Sequence, residues 1–220
     1  MRSLAGRQVL LLVAAVALLA TVVGVYGLVR GPGAEASPSL ASRSPEPAAV
    51  THSDAPVADL RDRSLPHTND AIAYARAVAT SLFDWDTSSG YLPTDYTATV
   101  LADGDPSGEE TPGLLDDVAT YVPTTDQWLD LGAMDVVQTI DITSASVPAS
   151  WPAALAQARG QLRPGTTAVT ITGTRHRSGV WNGQPATSSY PVSFTVFVAC
   201  PPAFDRCHVL RVSQLDNPLK

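Results

Sequence analysis

The chain has 220 residues, 14 of them basic and 21 acidic, for a formal net charge of −7. The first 30 residues hold three of the basic residues and none of the acidic ones, so the remainder carries 11 against 21, a net −10. That balance argues against nucleic acid, whose phosphates need a Lys/Arg surface, and against tight docking on anionic lipid.

Residues 9–29 form an apolar run without a charged side chain, bracketed by Arg7 and Arg30. About 20 such residues at 1.5 Å rise cross a hydrocarbon core of about 30 Å. Arg2, Arg7 and the amino terminus lie before it. The expectation is a cytoplasmic segment 1–8, a single transmembrane helix 9–29 and an extracytoplasmic remainder at the plasma membrane. A signal peptide cut after Ala36 is the alternative, with Ala34-Glu35-Ala36 as its small-x-small site; the run is longer than an ordinary signal core. Both alternatives export the rest of the chain.

Residues 30–66 are rich in Pro, Ala and Ser without apolar periodicity and read as a disordered linker. The folded domain is expected over 67–220. Thr68-Asn69-Asp70 supplies a cap, and Ile72, Ala75, Ala79, Leu82 and Phe83 fall on one helical face. Shorter helices are expected over 95–102 and 114–121, extended by 125–131, with the Gly/Pro/acidic stretch 103–112 separating the first two. Residues 136–147 read as a strand and 153–162 as a short helix. Residues 167–177 and 190–199 alternate as two strands about a Trp181-Asn182-Gly183 turn, and 209–215 forms the last strand. Helices followed by an antiparallel meander define the α+β class.

Cys200 and Cys207 are the only cysteines. In an exported chain such a pair reads as a disulfide, here stapling a hairpin across a Pro-Pro-Ala-Phe-Asp-Arg turn. Their spacing does not suit a metal or redox motif.

Three stretches carry a family resemblance: the Ala-rich helix ending in Phe83-Asp84-Trp85-Asp86, the strand running into Pro148-Ala149-Ser150-Trp151, and the ending 209–219. With the anchor, they resemble the nuclear transport factor 2-like extracytoplasmic domains of the TcpC-like conjugation or type IV secretion assembly family, or the related Mce-associated membrane proteins. The resemblance implies a cone of short helices wrapped on a curved four-stranded antiparallel sheet. It further implies a scaffold without chemistry. Conjugation subunits often carry two such domains; this chain has room for one.

Chemistry-bearing motifs are sparse. Asp103-x-Asp105-x-Ser107-Gly108 begins like a calcium loop but has Leu114 where the bidentate Glu belongs. His52, His67, His176 and His208 show no metal-ligand spacing. No nucleophile elbow, phosphate loop or zinc-protease motif is present. Neither catalytic residues nor cofactor or metal ligands are expected. Were the cone a small-molecule pocket, enzymatic or lipid-binding, its carboxylates and phenol would be Asp84, Asp86, Tyr91 and Asp141. Asp84 and Asp86 are expected in solvent at a helix end, with Asp141 turned outward. Arg175-His176-Arg177 is the one local basic cluster and a candidate partner contact. The expected function is a membrane-anchored scaffold acting through protein partners, with a homo-oligomer among the possibilities.

Overall fold

The computed structural model describes residue 60 and residues 63–220. The apolar run 9–29, the site at Ala36, most of the linker and His52 lie outside the described residues.

Helix α1 spans Ala71–Phe83. Asp70 starts it by accepting from the backbone N–H groups of Ile72 and Ala73 at 2.9 and 3.1 Å, the standard satisfaction of two orphan donors. Its buried stripe is Tyr74, Ala75, Val78, Ala79, Leu82 and Phe83. Ile72 lies off that stripe and is 37% exposed, because the i, i+3/i+4 rows select positions 74/75, 78/79 and 82/83. At Asp84 the backbone turns extended, and Trp85–Asp86 forms a two-residue strand, β1. Helices α2 (Pro93–Ala102), α3 (Thr111–Ala119) and α4 (Thr125–Gly132) follow, α4 opened by a Thr124/Gln127 capping box. Strand β2 is Val137–Ser146 and helix α5 is Trp151–Gln157. Strands β3 (Thr166–Trp181), β4 (Gln184–Ala199) and β5 (His208–Val212) complete the sheet.

The domain is α+β, with five antiparallel strands in the order β1-β2-β3-β4-β5. This corrects the expected four-stranded nuclear transport factor 2-like cone: the sheet is a five-strand half-barrel. The extra strand comes from Trp85 and Asp86, which leave the helical pattern and pair with Gln138 and Val137. Register shifts leave Thr143 of β2 and Leu210 of β5 without a partner, the usual source of strand bending. No helix among the described residues is long and apolar enough to cross a membrane. The helix expected over 9–29 lies outside the residues to which this applies.

One face of the sheet packs on the helices. Phe83 stacks on Phe194 at 5.3 Å and Tyr121 sits edge-on to both, at 5.7 and 5.2 Å. A second cluster joins Trp85, Trp128 and Tyr96, with ring centroids 5.3 and 5.5 Å apart, and Leu60 packs against it. Leu65 is buried in the main core. The opposite face is partly covered by α5, whose Trp151 meets Phe197 at 6.1 Å, and by Leu219, tied to Thr170 and Thr195. Cys200 and Cys207 are bonded to each other, linking the end of β4 to the start of β5.

Candidate functional site

Strands β3 and β4 pair along their whole lengths, from Thr166↔Ala199 to Trp181↔Gln184. Asn182 and Gly183 close the turn at φ 51° and 73°, the two left-handed positions of a type I′ hairpin that favour an Asn-Gly pair. Neighbouring strands are shorter: β2 reaches only Ser178 of β3, and β5 reaches only Val196 of β4. The hairpin therefore projects beyond the sheet. Trp181 at its tip is 61% exposed and Tyr190 54% exposed. Beside the tip lies a groove of ≈ 260 Å³, walled by Leu131, Met134 and Val136 on one side and by Gly179, Trp181 and Ala186 on the other. Gly179 is required there, since a Cβ at that position would sit 2.7 Å from the Met134 carbonyl oxygen.

Strand alternation divides Arg175, His176 and Arg177 between two faces. Arg177 lies on the helix side, donating from Nε to Gln138 Oε1 at 2.8 Å with its guanidinium 5.2 Å from the Trp85 ring. Burial, with help from Arg175, lowers its pKa. Arg175 lies on the same face, 5.6 Å over the Tyr190 ring. His176 points the other way, to Ser189 Oγ at 2.8 Å and Asp141 Oδ2 at 3.1 Å. The three do not make one patch.

The pocket candidates are likewise dispersed. Asp84 is half-buried rather than free in solvent; it accepts from Ile140 N–H at 3.0 Å, and burial raises its pKa from 3.8 to about 6 against the opposing pull of that hydrogen bond and of Arg63. Asp86 caps a turn through Ser88. Tyr91 packs edge-on to Tyr96, and Asp141 faces His176 on the opposite side of the sheet.

The acidic loop is occupied by its own donors. Asp103 takes a bidentate pair from Arg206 and the Tyr74 hydroxyl, while Asp105 accepts from Ser107 and from Glu110 N–H. Burial pushes both carboxyls up, and these bonds outweigh it, holding them below the ordinary range. No group of three or more His, Cys, Asp or Glu placed to hold a metal ion occurs among the described residues. His67 and Asp103 border an open depression of ≈ 420 Å³ with Arg63 and Leu65, and His208 is buried beside Asp103.

The sequence places the two strands and their turn but not the outer halves, 178–181 and 184–189, that make the hairpin project. Its outer strand segment, Gln184 to Tyr190, has no apolar alternation because neither face is covered. The Asn-Gly pair marks the turn itself, and a two-residue turn implies strands that run up to Trp181 and Gln184.

No known protein family matches the chain, and no characterised protein matches it. Among solved structures it is similar to the crystal structure of the intermembrane space region of chloroplast protein ARC6. The identity is 15% over 54% of this chain and 85% of that one, with a TM-score of 0.24, too low to carry an argument.

Proposed function

We propose that this is an exported, non-catalytic protein, held at the membrane through segment 9–29, that works by protein–protein contact within an envelope assembly. The observation that carries this reading is the projecting hairpin, which offers an exposed Trp181 beside an apolar groove. Large amphipathic rings next to a concave apolar surface are the usual anchors of protein interfaces. The Cys200–Cys207 bond suits an oxidising, extracytoplasmic compartment, as does the run at 9–29. The sequence resemblance points to a conjugation-type transfer complex as the kind of assembly. A photo-crosslinking side chain at position 181 of the full chain in its native cells tests the contact. Protein adducts from 181, and none from exposed Gln161, are the expected result. Adducts with lipid alone, or none from either position, would overturn it.

A further inference from the structure

The outer edge of β4 is open from Gln184 to Pro191. No strand among the described residues pairs with it before Val196, and every residue of the segment is exposed except half-buried Ser188. The phase of its backbone follows from the residues just beyond. Ser213 N–H donates to Thr195 O and Asp216 N–H to Ser193 O, at 2.8 and 2.7 Å. Thr195 and Ser193 N–H donate to Ser213 Oγ and Asp216 Oδ1, at 2.9 and 3.1 Å. Odd-numbered residues thus turn their backbone groups away from β3. Carried down the strand, that phase gives Pro191, Ser189, Thr187 and Pro185. The two prolines, lacking N–H groups, sit where they cost no bond to β3, and they bound the ladder available to a newcomer. Between them Thr187 and Ser189 offer two unpaired N–H groups and two carbonyls.

Charge selects what could pair there. From Ile142 to Phe204 the chain has no Asp or Glu, although the whole molecule has 21. Within the hairpin the helix-side charges are Arg175 and Arg177. Arg177 is engaged by Gln138 and Trp85. Arg175 lies over the exposed Tyr190 ring next to the open edge, and its Nε has no hydrogen-bond partner among the described residues.

We infer that the β4 edge between Pro185 and Pro191 is a strand-addition site for an extended acidic segment of a partner protein. This rests on the reading that the hairpin is a contact surface and names the chemistry of what it contacts. Main-chain bonds form at Thr187 and Ser189. On the helix-side face the incoming strand places an apolar side chain opposite Ala186, against Met134, Val136 and Trp181. Four residues along, on the same face, a carboxylate lies opposite Tyr190 and reaches Arg175.

The test uses the full chain in lipid nanodiscs and fluorescently labelled synthetic peptides alternating valine and threonine. One carries an aspartate four residues from a valine, one carries lysine instead, and one is the aspartate peptide N-methylated along one edge. Anisotropy should show the aspartate peptide binding at least about tenfold more tightly than its lysine twin, since an opposite-charge contact is replaced by a repulsive one. Arg175→Gln should erase that preference. N-methylation, which needs no change to the protein, and Thr187→Pro, which removes an N–H the fold does not use, should each abolish binding. Equal binding of the two charges, indifference to N-methylation, or a chain whose own dimer is dissolved by Thr187→Pro would overturn the inference. Protein adducts from position 181 that survive Thr187→Pro would leave the hairpin contact standing while refuting the edge site.

Discussion

Asp84 gives the domain a pH response of unusual sign. Its carboxyl goes from 3.8 in the unfolded chain to about 6 when folded, chiefly through burial. Such a group holds its proton more tightly in the folded state. Its contribution is therefore fully present below pH 3.8 and is lost as pH rises through about 6. A difference of that size corresponds to roughly 3 kcal/mol as an upper bound, with about 1–2 kcal/mol expected for a carboxyl retaining some solvent. Asp84→Asn tests this directly, because an amide oxygen can still accept from Ile140 N–H while carrying no charge. At pH 4 variant and parent should unfold with similar free energy. At pH 7.5 the variant should be the more stable by about 1–2 kcal/mol, less whatever Arg63 loses. Urea titrations of both proteins at half-unit pH steps measure the difference, in which the opposite slopes from Asp103 and Asp105 cancel. A variant less stable than the parent at pH 7.5, with an unchanged pH slope, would refute the burial argument. The ionised carboxylate would then be a net stabiliser through Arg63.

Cys200→Ser with Cys207→Ser should cost about 2.5 kcal/mol, the chain-entropy value for so short a loop, read as a lowered urea midpoint with an unchanged slope. Gly179→Ala should cost about 1–3 kcal/mol, since the new methyl meets a backbone oxygen. It should also speed amide exchange at Val180, whose N–H donates to that same Met134 oxygen at 2.7 Å.

Where local chemistry is decisive, the sequence is legible. Asp70 announces α1, Asn182-Gly183 announces the turn, and the alternation from Val192 to Val198 gives the buried half of β4. Where partners distant in sequence decide, it is not. Trp85 and Asp86 look like a helix end until β2 is alongside, and so the fifth strand was missed. Asp84 looks solvated until Ile140 arrives. Arg175, His176 and Arg177 look like one basic patch until strand geometry turns alternate side chains to opposite faces. The outer half of the hairpin carries Thr, Ser and Pro on both faces, a composition that reads as loop and is strand only because β3 templates it.

Cys207 N–H donates to Thr68 O at 2.9 Å, which ties the entrance of α1 to the entrance of β5. Val209 reaches back in a lone parallel bridge to Gly104. The hairpins between can form early, since each strand pairs with its neighbour in sequence and such local contacts close quickly. The core under α1 draws on β2, β3 and β4, with Ile140, Ile171 and Phe194 beneath the helix, and β5 adds Val209 and Val212 last. Phe83 is made more than a hundred residues ahead of Phe194, its stacking partner in β4, so a growing chain carries that ring uncovered through much of its synthesis.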